Sequence, residues 1–466
     1  MKPNRHAATV VRDLGLLLLV LVLFQLTTAS AQSQPNSNKP ADCRVESIEY
    51  KGWDAQQLSN DWVKLIIVPR NGGRLMQVTF GAHEYLFVNP KLEGKYSPPS
   101  QAKWFNYGGD KIWLLPEGNN DEQHWPGNSD VIDDSPYSFK KLSEGKQCEV
   151  ELTGPADPQT GIQISRTIQL GTDSPRIHFN ASMKNTSGHT VEWSMQSVSQ
   201  YNTSAPSGSG FNHNFWTFTP ANPSSSYLNR YHVRFGPAEN PAVAVRDNGL
   251  FTVHYVHMAA ELWLDSTAGW VAVVDGESRY AMVERFQYEQ SKPYPGKASV
   301  IFWTNGPEMR LGDDGVPSLS ADTDAGPYYE EAELNSPTCR LRPGESCALE
   351  TEWFPTRAGS EFRGVTDAGV RLRPLVCVPT ANAKVKISGS FGVFFSGRLI
   401  ARFYDRRGAL LGTVPVTNAS PTEPVSLDTE VSPPGVAARV SLHLEDERGL
   451  DRGALEEVRI AGGDNR

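Results

Sequence analysis

The sequence predicts an all-β protein, a large antiparallel β-sandwich followed by a small β-sandwich of jelly-roll type. Three observations carry that expectation. Apolar residues recur with period two in short runs, as in Trp62-Val-Lys-Leu-Ile-Ile-Val68 and Arg74-Leu-Met-Gln-Val-Thr-Phe80. Gly- and Pro-containing turn pairs separate the runs. No amphipathic helical pattern is sustained over about the first 350 residues, which leaves sheet packed on sheet as the way to bury the apolar faces.

In chain order, Lys2, Arg5 and Arg12 form a basic start. Leu14 to Leu26 is apolar apart from Gln25, and Ala29-Ser30-Ala31 supplies small residues. The expectation is a secretory signal peptide over 1–31, cleaved after Ala31, and a periplasmic or secreted mature protein. The apolar run is short for a membrane span, and none comparable follows it. Gln32 to Asp42 reads as a disordered tether.

The large sandwich is expected over 43–358, from turn-separated runs such as Ile162–Leu170, Arg176–Lys184, Thr190–Gln200, Phe251–Val256, Trp270–Asp275, Tyr280–Phe286, Val300–Asn305 and Cys347–Trp353, with a further strand at Tyr85–Val88. Tyr201 to Arg234 reads as a long polar loop rich in aromatics, an ordered flap over one end of the sandwich. A linker is expected over 359–373. The runs beyond it, from Ala383–Phe395 to Leu455–Ile460, make the small sandwich at 374–466.

Removing the leader takes three basic residues and one acidic one, which moves the formal charge from −9 to −11. No basic patch stands out in the sequence, which argues against nucleic acid or an anionic membrane as partner. Five cysteines follow the leader, Cys43, Cys148, Cys339, Cys347 and Cys377. Their spacing matches no zinc site, and an odd count leaves one thiol unpaired or intermolecular. In a two-residue hairpin Cys339 and Cys347 would face opposite sides, so their pairing needs a bulge or a longer loop. No cofactor or metal is expected, and the sequence is silent on oligomeric state.

The densest stretch is Trp104-Phe-Asn-Tyr-Gly-Gly-Asp-Lys-Ile-Trp-Leu-Leu-Pro-Glu-Gly118. Flat aromatic faces stand there beside Asn, Asp and Lys hydrogen-bonding groups, the combination a sugar ring needs. A Gly-Gly pair lets backbone approach closely.

Four segments recur in a set order: Pro69-Arg-Asn-Gly-Gly-Arg-Leu-Met76, Asn89-Pro90, Asn106-Tyr-Gly-Gly-Asp-Lys-Ile-Trp113 with Pro116, and Leu341-Arg-Pro-Gly-Glu-Ser346. Together, over Cys43 to Phe354, they resemble a bacterial domain-of-unknown-function family within the galactose mutarotase-like superfamily. The resemblance implies a β-supersandwich whose concave face binds carbohydrate. It also implies aldose-epimerase chemistry, in which a carboxylate takes the anomeric hydroxyl proton while an imidazole protonates the ring oxygen. Glu333, shortly before the Leu341-Arg-Pro-Gly-Glu345 turn, matches the position of the base, with Glu330 and Glu331 as competitors. The family's histidine-bearing strand corresponds to Trp193–Gln200, which has no histidine. His124 and His213 are the two candidates for the acid. Arg74, Asn106, Asp110 and Lys111 are expected to position the sugar, and Trp104, Tyr107 and Trp113 to stack on it. Ala401-Arg-Phe-Tyr-Asp405 with Arg-Arg-Gly408 resembles strands of carbohydrate-binding modules. The expected partner is therefore a mono- or polysaccharide. A non-catalytic sugar-binding protein and an envelope interaction protein are the alternatives.

Overall fold

Strand pairing builds the molecule in four main sheets. The computed structural model describes residues 42–99, 105–117, 131–307, 309–311, 317–319 and 326–461. The leader, the tether up to residue 41, Trp104 and His124 lie outside the described residues. No helix among those described is long and apolar enough to cross a membrane.

The first sheet has twelve strands among the described residues. Its middle runs Asp110–Leu115, Val191–Asn202, Tyr329–Asn335, Val300–Thr304, Ala260–Leu264 and His232–Phe235, and the N-terminal strands from Arg44 to Phe80 extend one side. The second sheet has ten strands, with Phe215–Pro220, Trp270–Asp275, Tyr280–Phe286, Ser346–Arg357 and Ile177–Asn185 in consecutive places. All strand pairs within these two sheets are antiparallel, as the period-two runs require. One core fills the space between the sheets, with Leu262, Leu264, Phe302, Leu334, Ile168 and Phe179 among its buried side chains.

That core contains charge. Asp110 pairs with Arg166 across the two sheets, and both are buried. Glu284 accepts a hydrogen bond from the Tyr201 hydroxyl, and Glu330 lies beside Thr217. Burial pushes the Glu284 and Glu330 carboxyls up to about 8. The folded chain therefore binds protons that the unfolded chain has released above the ordinary carboxylate range. Their contribution to stability is complete at acid pH and is lost as pH rises from about 5 through 8, on the order of 1.4 kcal/mol per pH unit for each carboxyl inside that window. Glu284→Gln is expected to flatten this fall, which urea midpoints measured from pH 5 to 9 will read; parallel curves for variant and wild type would contradict it.

The Tyr201–Arg234 stretch differs from the expected flap. It contains Phe215–Pro220, a strand paired on both sides within the ten-stranded sheet. The strand reads as polar because Thr217 and Thr219 are buried in it, with Phe218 packing on the second core. Tyr85–Val88 is likewise no regular strand. It makes single bridges, Leu86 to Tyr201 and Val88 to Gly108, which lay it across the end of the Val191–Asn202 strand.

The expected linker 359–373 belongs to the second sandwich. Gly364–Val365 and Gly369–Pro379 are strands of a four-stranded sheet that also holds Val385–Val393 and Val425–Val431. Leu410–Ala419, Gly397–Tyr404, Arg439–Asp446 and Asp451–Arg459 form its facing sheet. A free linker would expose its apolar residues, whereas Phe362, Ala368, Val370 and Leu372 are buried. They join one core with Ala272, Val274, Ala281 and Val283 from the outer face of the ten-stranded sheet. This explains why those strands are apolar on both faces.

Two disulfides form, Cys43–Cys148 and Cys339–Cys347, and Cys377 is a buried free thiol. The hairpin objection to the second pair falls away because there is no hairpin. Cys339–Leu341 pairs with the twelve-stranded sheet, whereas Ser346–Arg357 belongs to the ten-stranded one, so the turn crosses between sheets and the disulfide ties them. The Cys43–Cys148 bond closes a separation of 105 residues. Replacing both cysteines by alanine is expected to cost about 2–4 kcal/mol. Urea unfolding checks this, and an unchanged midpoint would count against it.

Candidate functional site

Strand pairing places two rows of side chains on the outer face of the twelve-stranded sheet. Residues paired across adjacent strands share a face, and residues two apart on one strand return to it. The first row runs Lys111, Val198, Glu333, Ile301, Trp263 and His232. The second runs Gln200, Glu331, Trp303, Glu261 and Phe235, with Tyr329 beyond it. The intervening residues, such as Leu262, Phe302, Ala332 and Leu334, face the core. Polar and aromatic groups from six strands thus meet over the floor formed by Val198.

The centre of this face is recessed. Lys111, Glu331 and Glu333 are only 3%, 6% and 6% exposed although they point away from the core. Lys111 Nζ lies 3.5 Å from Glu331 Oε1 and 4.5 Å from the Trp113 ring centroid. Gln200 Nε2 donates to Glu331 Oε1 at 2.5 Å, and Gln196 Nε2 donates to Glu333 Oε2. Burial, then the Glu331, Glu117 and Glu261 carboxylates, hold Glu333 well above the usual carboxylate range, with Lys111 opposing. Burial pulls the Lys111 ammonium below the usual lysine range, against the attraction of Glu331. The two carboxyls are therefore unlike. Glu331 shares its charge with an ammonium and an amide, while Glu333 sits among carboxylates that favour its protonated form. Glu333, expected as the base, thus holds its proton more firmly than an ordinary carboxyl.

Aromatic faces surround the pair. Trp303 and Phe235 stack at 5.7 Å, and Trp263 Nε1 donates to Glu261 Oε1 at 2.5 Å. Phe87 stacks on Tyr329 at 5.0 Å, and the Tyr329 hydroxyl lies against Trp303 and Asn106. Gly108 makes this close approach feasible, since its φ is 91° and a Cβ there would meet the Phe87 carbonyl.

Among the expected site residues, the structure brings Glu333, Lys111, Trp113 and Asn106 to this face. Asp110, next to Lys111, points into the core and pairs with Arg166. Arg74 is fully buried, 2.7 Å from Asp133 and donating to the Gly108 carbonyl at 3.3 Å. Asp133 also accepts from Trp113 Nε1 at 2.9 Å, so Arg74 is linked to the face through Asp133 and Trp113. Tyr107 is core, edge-on to Trp53, and its hydroxyl accepts from the Ser97 amide at 2.9 Å. His213 is exposed, its ring 4.2 Å from that of Phe211, and it belongs to neither row. Glu330, a competitor of Glu333, faces the core.

Sequence reasoning missed Gln196, Gln200, Glu261, Trp263, Trp303 and Tyr329. Their signal was a polar or aromatic residue at every second place in otherwise apolar strands, as in Ala260-Glu-Leu-Trp-Leu264.

No family model matches the sequence, and no curated protein matches it. Solved structures do. A TPR-domain-containing protein from Parabacteroides distasonis shares 17% identity at a TM-score of 0.45, over 69% of this chain and 50% of that one. The chain thus spans half the length of that protein. A protein from Synechocystis shares 12% identity at a TM-score of 0.44, over 67% of this chain and 99% of its own. A galactose mutarotase-like protein from Clostridium acetobutylicum shares 12% identity at a TM-score of 0.44, over 68% and 99%.

Proposed function

We propose that this is an exported carbohydrate-recognising protein of galactose mutarotase-like type that interconverts the anomers of a reducing sugar on the outer face of its twelve-stranded sheet. The observation that carries the reading is the unlike pair Glu331 and Glu333, side by side on one strand face among tryptophans. Ring opening needs a base and an acid together. Glu331 takes the anomeric hydroxyl proton, the C1–O5 bond breaks, and Glu333 gives its proton to the ring oxygen, leaving an open-chain aldehyde. Rotation about C1–C2 and the reverse transfers close the other anomer. An imidazole is not required where one carboxyl retains its proton and a second carboxyl stands beside it to accept one. The two disulfides support export, since such bonds persist in oxidising compartments.

Binding without turnover is the second reading. It is favoured by the absence of histidine beside the pair among the described residues, His232 being three strands away along its row. In both readings Trp303 presents an aromatic face to the sugar. Trp303→Ala is expected to weaken binding about tenfold, the equivalent of about 1.4 kcal/mol of ring contact. Titrating sugars against the remaining tryptophan fluorescence reads this, and unchanged affinity would remove the sugar from this face.

A further inference from the structure

The C-terminal sandwich carries a second recess, of about 770 Å³, at the end where the Asp405–Gly408 turn meets the Arg439 and Arg459 strands. Four arginines line it: Arg406, Arg407, Arg439 and Arg459. Arg439 and Arg459 are directly opposite on neighbouring strands, an arrangement of like charges that costs a sheet stability. Arg439 is held in place, 4.6 Å over the Tyr404 ring and 2.8 Å from Glu457 Oε1. Asp405 fixes the turn by accepting the Arg407 and Ala409 amides, both at 2.8 Å.

The module's other basic side chains are mostly neutralised. Lys384, Lys386, Arg398, Arg402, Arg448 and Arg452 each pair with a carboxylate. Among the described residues, the Arg407 and Arg459 guanidinium groups pair with none. A recess of this size suits one or two sugar rings. Guanidinium forks match planar or tetrahedral oxyanions.

We propose that this recess binds the carboxylate or sulfate of an anionic glycan, giving the chain a second carbohydrate site of opposite charge preference. The proposal rests on the carbohydrate reading of the first site. The outer face of the large sandwich sets Glu261, Glu331 and Glu333 around Lys111, whereas this recess is lined by four guanidinium groups, so the two sites differ in charge preference.

The test measures binding of oligogalacturonate, carrageenan oligosaccharide and neutral cello-oligosaccharide to the full mature chain, for wild type and for Arg407→Ala/Arg459→Ala. Both arginines are exposed, so the variant is expected to keep its melting temperature. Wild type is expected to bind at least one acidic oligosaccharide in a salt-sensitive way, about 100-fold tighter than the double variant, or about tenfold per arginine lost. Preference for oligogalacturonate marks a carboxylate ligand, and preference for carrageenan a sulfate. Equal binding by wild type and variant overturns the proposal, as does equally tight binding of a single-stranded oligonucleotide. Sensitivity of acidic-sugar binding to Trp303→Ala but not to the arginines also overturns it. Loss of neutral-sugar binding everywhere, with acidic binding intact, counts against the first site's reading and leaves this one standing.

Discussion

Glu333→Gln is expected to slow enzyme-catalysed anomer exchange by about 10²–10⁴-fold, the usual contribution of a positioned general acid. Glutamine keeps the shape of the side chain and a hydrogen-bonding partner for Gln196, so sugar affinity should change by no more than a few-fold. The two effects together distinguish lost chemistry from lost binding. The pH profile adds a sign. Burial and three carboxylates hold the Glu333 proton to unusually high pH, and in the proposed mechanism the active form is the protonated one. Wild-type activity therefore falls on the alkaline side, as that proton leaves. The residual activity of the variant should lack that limb. An unchanged rate, or an alkaline limb surviving in the variant, would take the acid role from Glu333.

Asp110→Ala is expected to destabilise the fold by about 3–5 kcal/mol, the largest stability effect of any change considered. Asp110 pairs with Arg166 between the two sheets, and the Ser199 hydroxyl donates to it at 3.3 Å. Burial pushes the Asp110 carboxyl up even with the guanidinium beside it, so the pair costs desolvation as well as supplying attraction. Removing only the carboxylate leaves Arg166, itself 3% exposed, without its compensating charge. The apolar pair Asp110→Leu/Arg166→Met removes both charges and should recover most of the loss, since a buried ion pair replaced by packing is often neutral. Thermal melts of the three proteins test this. A double variant no better than the single would mean that the pair is needed for packing or register and not only for charge balance.

Much of the fold was legible because the strands obey one rule. With one face against a core and the other polar, alternation marks both the element and its facing, and the strands begun by Gln147 and Ile177 follow it. Where both faces are buried the rule fails. Phe215–Pro220 has threonines toward one core and Phe218 toward the other, and so reads as loop. The linker was misread for a related reason: the Gly and Arg residues of 359–373 look like surface chain until a second sandwich closes over Phe362 and Leu372.

The site was legible residue by residue but not as an assembly. Lys111 and Trp113 lay in the stretch that stood out, and Glu333 came from the resemblance of the turn that follows it. Asp110 and Lys111 are both expected at the sugar, yet adjacent strand residues face opposite ways, and each found its partner on another strand. Glu261, Trp263 and Trp303 needed the spatial order of strands, which no local pattern specifies. Only that order brings residues some seventy positions apart into one row.

The most direct test of the central claim is α/β-anomer exchange, followed by NMR on a panel of reducing sugars with the wild-type protein. The account predicts faster exchange for at least one sugar, abolished by Glu333→Gln. Unchanged exchange across the panel, with no sugar resonance broadened by binding, would contradict it.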